Sequence, residues 1–300
     1  MYSIEPKDIP TAKFHGLLLG AVAPRPIAFA STVDAEGKPN LSPFSFFNTF
    51  SSNPPVMIFS PNRRVRDNTS KHTLENARIT KEVVINVVNY DIVQQASLSS
   101  TEYPEGVNEF IKAGLTMLPS DIVKPFRVAE SPVQFECKIK EIIELGTEGG
   151  SGNLIICEVL KMHINEDVLD DEGRIDHYKI DLVARAGGNF YSRARDGFFE
   201  IPKPTTTLGI GVDQIPEHIR RSKVLTGNDL GMLGNVEKLP SEEEIEAFVQ
   251  DSVEIRGILS SDDNDRIHRK AQDYLRKDEV YTAWKILLAE KFEIPGQSVD

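Results

Sequence analysis

Residues 23–50 read APRPIAFASTVDAEGKPNLSPFSFFNTF, a stretch that predicts two β-strands joined by a turn. The first strand, Ile27–Val33, is apolar, and the second, Leu41–Phe50, contains four phenylalanines among small polar residues. The reversal falls at 34–37, where Gly37 can take the left-handed backbone conformation of a tight turn. Small polar groups among aromatic rings could line a flat ligand. A core hairpin with satisfied hydroxyls is nevertheless the simpler interpretation of these residues alone.

A basic segment follows a third predicted strand at 56–60. Residues 61–72 hold four basic side chains against one acid, a local charge of +3 in a chain whose formal net charge is −12. The sequence Asn-Thr-Ser at 68–70 consists of helix N-cap residue types, and a helical turn is predicted from Leu74. Arginines beside free N–H groups at a helix start favour an anion, phosphate above all, although a solvated basic loop has the same composition. A flat ring next to a phosphate would suggest a flavin nucleotide.

Two long strands are predicted further along, at Val133–Ile143 and Leu154–Ile164. The glycines between them, at 146–152, predict a flexible hairpin tip, because the Lys-Ser/Thr pair of a phosphate-binding P-loop is missing. Each strand contains one cysteine. We expect Cys137 and Cys157 to be buried thiols of a reducing compartment and neither a disulfide nor a metal pair.

The overall composition is that of an ordinary soluble protein. The chain has 300 residues, of which 40% are hydrophobic and 27% charged. A net charge of −12 argues against non-specific binding to nucleic acid, which needs a basic face. No apolar run is long enough to span a membrane, and the N-terminus lacks the pattern of a signal peptide. We therefore expect a cytoplasmic protein without membrane contact.

The chain resembles the flavin reductase-like family, the FMN-binding split-barrel proteins that include the flavoredoxins. The resemblance covers about residues 15–200 and leaves out those beyond 205. It rests on motifs that recur in order: Ala-Pro-Arg-Pro-Ile-Ala at 23–28, Asn-Leu-Ser-Pro-Phe-Ser-Phe-Phe-Asn at 40–48, Pro-Pro at 54–55, Arg-Asp-Asn-Thr at 66–69 with Asn76, Gly-Val-Asn-Glu-Phe at 106–110, Glu-Ser-Pro-Val at 130–133 with Glu136 and Cys137, and Ala-Arg-Ala-Gly-Gly-Asn-Phe-Tyr at 184–191.

The resemblance implies a mainly β fold with helices, an FMN-binding split β-barrel of six-stranded type over about residues 20–200. Pro202 and Pro204 mark a change in composition. We therefore predict a flavin reductase-like domain at 1–204 and a helical C-terminal extension at 205–300.

Helical patterns occupy the predicted extension. Ser241 and Glu244 have the spacing of a capping box, and two further helices are predicted on either side of Asp278. Each helix has one apolar face, which must pack on the barrel, on a second subunit or on its neighbours. Together with the resemblance, these faces favour a homodimer with its flavin sites near the interface. The apolar residues concerned are Ile267, Tyr274, Leu275, Trp284, Leu287 and Leu288.

The resemblance and the local charge together select a candidate cofactor site. Side chains expected near the flavin ring are Ser31, Thr32, Ser45, Phe47, Asn48 and Thr49. Side chains expected at the phosphate are Arg63, Arg66, Asn68 and Thr69. The closing motif adds Arg185 and Tyr191, which would serve equally well as a packed arginine and a core tyrosine. Asp67 is expected to orient an arginine or to cap the helix.

No catalytic side chain and no metal ligand is predicted. Hydride transfer is the flavin's own chemistry, and the protein supplies position and electrostatics. The six histidines show no zinc-binding spacing. His177, near the closing motif, is the one histidine retained as a candidate.

Three functions follow from the resemblance. The first is an NAD(P)H-dependent flavin reductase that delivers reduced flavin to a monooxygenase or another electron acceptor, with NADH or NADPH as the donor. The second is an electron-transfer protein of flavoredoxin type that holds FMN tightly. The third is a flavin-binding module without turnover.

Overall fold

The computed structural model describes residues 1–104, 106–206, 208–261 and 263–291. They form two compact units, Met1–Phe199 and a second that begins at Glu200. The predicted domain assignment, 1–204 and 205–300, stays a prediction. In the described part of the chain, no helix is long and apolar enough to cross a membrane.

The first unit is built on one antiparallel sheet. Its strands are β1 (Ala28–Val33), β2 (Pro39–Phe44), β3 (Phe47–Ser52), β4 (Pro55–Phe59), β5 (Glu82–Val87), β8 (Val133–Glu144) and β9 (Asn153–Ile164). The seven strands lie in the order β2-β1-β5-β8-β9-β4-β3. Two small hairpins complete the unit: β6 (Met117–Leu118) with β7 (Arg127–Val128), and β10 (Val183–Arg185) with β11 (Tyr191–Arg193).

Only Ser45 and Phe46 separate β2 from β3, although these strands form opposite edges of the sheet. Three peptide units span at most about 11 Å, so the sheet must curl until its two edges almost meet. This geometry is a split barrel and confirms the predicted fold class, with seven strands in place of six. The prediction of one continuous strand at Leu41–Phe50 is wrong, because its apolar pattern runs through the corner where the chain changes edges.

The first predicted hairpin is confirmed. β1 and β2 pair along their whole length, and Gly37 takes the turn with a φ of 83°. Every residue of β1 is buried. One face of the strand belongs to the same core as Leu74 and Ala77 of helix α2 (His72–Thr80).

The two cysteines are core residues, as predicted. Cys137 of β8 and Cys157 of β9 are buried free thiols. Burial raises the pKa of both thiols, so neither supplies a reactive thiolate near neutral pH.

The other helices of the first unit are α1 (Thr11–Ala21), α3 (Val93–Leu98) and α4 (Glu109–Ala113). In the connection that leads to β6, α4 buries Phe110 completely. The predicted capping by residues 68–70 is wrong. Helix α2 begins at His72, after Lys71, and has no side-chain N-cap, because the Asn-Thr-Ser sequence is used inside the preceding loop.

The second unit is helical, as predicted for the extension. Its helices are α5 (Glu217–Arg220), α6 (Gly227–Gly234), α7 (Glu242–Asp251), α8 (Val253–Leu259), α9 (Asn264–Leu275) and α10 (Val280–Leu288). The capping box of α7 is confirmed. The backbone N–H of Ser241 donates to the Glu244 carboxylate at 2.8 Å, and the N–H of Glu244 donates to the Ser241 hydroxyl at 3.3 Å.

The second unit buries its own core around Trp284, whose indole N–H donates to the Leu233 carbonyl at 3.0 Å. Four of the residues expected at a dimer interface are buried in that core and two are packed against it: Ile267, Leu275, Trp284 and Leu287, then Tyr274 and Leu288. Their use as an argument for a dimer is therefore wrong. Short helices such as α5 and α6, which the sequence pattern does not predict, supply the missing packing partners.

Candidate functional site

The corner between β2 and β3 is fixed by Arg25. Its guanidinium donates to two carbonyl groups at the end of α1 and to the Ala186 carbonyl at 3.2 Å. Its Nε lies 3.4 Å from the Ser45 hydroxyl, and its Cζ lies 5.9 Å from the centre of the Phe46 ring. Burial, and next the charge of Arg185, lower the pKa of Arg25. Arg25 therefore ties together three segments around the corner.

Beyond the corner, β3 is an edge strand, and among the described strands it pairs only with β4. One row of its backbone N–H and C=O groups is thus free of a partner strand and can bond the polar edge of a ligand. Asn48 and Thr49 are exposed, whereas Phe47 packs against the core below them. Phe46 is 36% exposed. The Thr49 N–H donates to the side-chain oxygen of Asn48 at 2.8 Å, and the corner offers an aromatic surface beside the other backbone groups of this edge.

A buried polar network places the start of α2 against the sheet. The Thr32 hydroxyl accepts hydrogen bonds from the amides of Asn40 (3.3 Å) and Asn76 (3.1 Å), and Asn40 also donates to Thr73 at 2.9 Å. Thr32, predicted as a cofactor contact, is fully buried and committed to this network. Ser31 is fully buried too, and its hydroxyl has no hydrogen-bond partner in the described part of the chain.

The basic loop between β4 and α2 is shaped by its own side chains. Arg63 donates to the side-chain and backbone oxygens of Asn68, both at 2.6 Å, and Asn68 takes a left-handed φ of 57°. Arg63 and Asn68, both predicted at the phosphate, thus bond each other. The glycine tip packs under this loop: a Cβ on Gly149 would lie 3.0 Å from the Val65 carbonyl oxygen. The tip serves as a close support, a role that the prediction of a flexible turn did not include.

Asp67 organises the exposed part of the loop. Its carboxylate accepts hydrogen bonds from the Thr69 hydroxyl (2.7 Å), the Thr69 N–H (3.1 Å) and Nε of Arg66 (3.1 Å). Mainly because of the Thr69 contacts, the pKa of Asp67 falls to about 2. Asp67 orients Arg66, as the sequence predicts, and Arg66 itself is 70% exposed.

Two cations that the sequence-based site left out lie where the loop meets α2. Arg64 donates from Nη1 to the Thr69 hydroxyl at 2.8 Å and to the Ser70 carbonyl at 2.7 Å. Lys71 precedes α2 directly, is half-buried, and has its Nζ 5.9 Å from the centre of the Phe44 ring. Burial, and next the charge of Arg64, lower the pKa of Lys71.

Lys71 joins the two halves of the site. Phe44 is the last residue of β2, so the ammonium group lies near the strand end that leads into the corner, and Lys71 directly precedes α2. In the described residues Lys71 takes part in no ion pair, because the nearby Glu102 bonds Arg64 and Arg66 instead. A half-buried cation of this kind, next to uncapped helix N–H groups, can hold a phosphate. The sequence signal for it is one lysine placed immediately before the helix.

Arg185 of β10 lies next to Arg25, and Tyr191 of β11 is its partner in the hairpin. The backbones of Arg25 and Arg185 bond each other, and the Arg185 guanidinium stacks 4.6 Å from the centre of the Tyr191 ring. Both side chains are only partly covered, so Tyr191 is not a core tyrosine. His177 contacts the Phe198 ring, with 5.5 Å between ring centres.

Asp121, Glu136 and His163 are the one group of metal-ligand residue types that comes close together in the described part of the chain. The Glu136 carboxylate accepts N–H groups of Asp121, Ile122 and Val123 at 2.6–3.0 Å, and lies 2.7 Å from Nε2 of His163. Asp121 pairs with Lys161. Because both Glu136 oxygens are already bonded, we interpret the cluster as a clamp that holds the 121–123 loop on the sheet.

Comparison with known proteins identifies the family. Residues 20–181 match the flavin reductase like domain, which is more than half of the chain, and the chain belongs to that family. An uncharacterized protein of Aquifex aeolicus is 38% identical over 180 residues, which is 60% of this chain and 89% of that protein. The protein is therefore a flavoprotein of the oxidoreductase class.

Solved structures agree with this assignment. Nitrilotriacetate monooxygenase component B from Bacillus cereus is similar with a TM-score of 0.63 and 28% identity, over 67% of this chain and 98% of that one. A protein with a split barrel domain from Shewanella frigidimarina is similar with a TM-score of 0.57 and 26% identity, over 68% and 99% of the two chains. The fold is that of the split-barrel flavin reductases.

Proposed function

We propose that the protein binds FMN and reduces flavin at the expense of NADH or NADPH. The observation that carries the proposal is Lys71, a half-buried cation without a carboxylate partner in the described residues, beside Phe44 and at the start of α2. A phosphate there would gain the charges of Lys71 and Arg64 and the free N–H groups of the helix. The aromatic corner lies next to it and suits a flat ring.

Each part of the site has a role in this proposal. The open edge of β3, at Phe47, Asn48 and Thr49, and Ser45 at the corner would bond the polar edge of the ring. Lys71 and Arg64 would hold the phosphate, with Arg66 and Thr69 at its exposed side. Arg63 and Asn68 would act by shaping the loop, Ser31 and Thr32 by supporting β1, and Arg185 with Tyr191 by closing the corner.

The bound FMN would accept a hydride from a reduced nicotinamide and pass its electrons on. The residues of this chain would position the ring, fix the phosphate and leave one ring face accessible to the donor. No catalytic side chain is required. We propose a monooxygenase as the electron acceptor, since component B of such a system is similar in fold and sequence. We also propose that the reaction takes place in the cytoplasm. An electron-transfer protein of flavoredoxin type is the second candidate.

The test is anaerobic oxidation of NADH and NADPH, measured with and without added free FMN. A flavin reductase is expected to oxidise nicotinamide until the added free FMN is used up, one nicotinamide per flavin, and to speed up as free FMN rises. A flavoredoxin-type protein would retain its FMN through purification and be indifferent to free flavin. No oxidation of either nucleotide under both conditions would contradict the proposed activity.

We also propose a homodimer, on a different surface from the C-terminal helices. Met162 and Ile164 lie on one face of β9 and are 41% and 37% exposed, and Leu160, at a break in the β8–β9 register, is 41% exposed. An exposed apolar strand face of this kind favours a partner subunit.

Light scattering at micromolar concentration should give about 67 kDa, twice the 33.5 kDa of one chain. Changing Met162 and Ile164 together to Lys should give monomers, and a monomeric unaltered protein would refute the proposal.

A further inference from the structure

An acidic side chain bonds the two arginines of the proposed phosphate site. Glu102 lies in the connection between α3 and α4. Its Oε1 accepts a hydrogen bond from Nε of Arg64 at 3.1 Å, and its Oε2 accepts one from Nη2 of Arg66. Among the described residues these two guanidinium groups are its only hydrogen-bond partners. A single carboxylate therefore bridges the arginines, while Lys71 forms no ion pair with any residue that the structure describes.

The contact has the chemistry of a ligand mimic. A carboxylate and a phosphate monoester present the same kind of paired oxygen atoms to guanidinium groups. Nε of Arg64 and Nη2 of Arg66 cannot serve both at full strength. Glu102 is 42% exposed, and exposed ion pairs are weak, so a ligand that also gains Lys71 and the helix N-terminus can displace it.

We propose that Glu102 is an internal competitor for the flavin phosphate. Its carboxylate closes the anion site when no flavin is bound and leaves the arginines when FMN arrives. The competition raises the apparent dissociation constant for FMN, which equals the intrinsic constant divided by the fraction of molecules in which the site is open. Riboflavin has no phosphate and does not compete with Glu102. This inference rests on the proposed function, and it makes the competition a property of the flavin phosphate and not of the flavin ring.

Three variants separate this role from a general effect of charge. Glu102→Gln removes the competing charge, and Glu102→Asp keeps the charge but is too short to bridge both arginines. Glu144→Gln is the matched control, because Glu144 is 50% exposed and pairs with Arg78 elsewhere on the first unit. Dissociation constants for FMN and riboflavin are measured by flavin fluorescence. Binding of inorganic phosphate is measured from the rise in melting temperature as the phosphate concentration increases.

Glu102→Gln is expected to bind FMN roughly 3- to 10-fold more tightly, while its dissociation constant for riboflavin is unchanged. The same rise in melting temperature should need a correspondingly lower concentration of inorganic phosphate. Glu102→Asp should show part of the same gain, and Glu144→Gln none. Equal or weaker FMN and phosphate binding by Glu102→Gln would overturn the proposal and make Glu102 a positioning residue. The proposal would also be overturned if Glu102→Gln gained FMN affinity and Glu102→Asp gained none. Such a result would show that the long-range effect of the negative charge, and not direct bonding to the arginines, determines the affinity. If no flavin binds but phosphate binding tightens, the competitor stands and the proposed function is wrong.

Discussion

Replacing Arg64 with Gln and Lys71 with Met is expected to weaken FMN binding by at least about 100-fold, while riboflavin binding changes by less than about threefold. Each cation would make a charge-assisted bond to the phosphate, and such bonds contribute roughly 1.5–3 kcal/mol. Riboflavin shares the ring and lacks the phosphate, so it controls for damage to the aromatic corner. Both dissociation constants can be read from flavin fluorescence.

A matched pair of substitutions outside the site completes the comparison. Arg78→Gln removes an arginine on α2 that pairs with Glu75, and Lys277→Met removes a lysine whose Nζ lies 5.4 Å from the centre of the Tyr274 ring. This control pair should leave both affinities unchanged. Equal losses for FMN and riboflavin in the Arg64 and Lys71 variant would place the phosphate elsewhere.

The Arg66 and Thr69 pair, which the sequence favoured for the phosphate, is expected to matter less. Arg66 is 70% exposed and bonds Asp67 and Glu102, and the Thr69 hydroxyl already bonds Asp67 and Arg64. Arg64 has similar contacts, but its side chain is only 18% exposed, so its charge is less screened by solvent, and Lys71 takes part in no ion pair among the described residues. The distinction depends on where α2 begins, which the capping residues at 68–70 indicate wrongly.

Glu136→Gln is expected to lower the free energy of unfolding of the first unit by about 3 kcal/mol at pH 7. A glutamine keeps one acceptor oxygen and places its NH2 group against the backbone N–H donors of the other, because both carboxylate oxygens now accept such bonds. Burial raises the pKa of Glu136, but the N–H group of Asp121, the His163 side chain and the other N–H groups outweigh it and hold the value at about 2. The ordinary value is 4.5.

This lowered pKa fixes the direction of the pH dependence. A carboxylate that binds its proton more weakly in the folded state stabilises the fold above pH 4.5, and that contribution is lost as pH falls from 4.5 towards 2. The difference between the unaltered protein and Glu136→Gln should therefore shrink in acid, as followed by urea unfolding and circular dichroism. Glu158→Gln, on the same sheet, is the control and should be nearly neutral. A difference that stayed constant down to pH 3 would contradict the account.

The regular elements were predictable because local patterns decide them. The turn at Gly37, the buried β1 and the capping box at Ser241 each follow from two or three neighbouring residues. The corner at Ser45 and Phe46 was not predictable in this way. Its flanking residues form one continuous apolar pattern, and only the order of strands across the sheet shows that the chain changes edges there.

The candidate site was predictable in kind and less so in detail. The excess positive charge before α2 identifies the segment, but it does not distinguish Lys71 from Arg63, which is committed to Asn68. Likewise, the Thr32 hydroxyl reads as a ligand contact until Asn40 and Asn76 are seen to donate to it. Such pairings join residues far apart in the chain, so no local pattern contains them.

The most direct test of the central claim is a titration of the purified, flavin-free protein with FMN, followed by flavin fluorescence. We expect saturable binding of about one FMN per chain, with riboflavin bound at least about tenfold more weakly because it lacks the phosphate that Lys71 and Arg64 would hold. Absence of saturable FMN binding, or equal affinity for the two flavins, would contradict it.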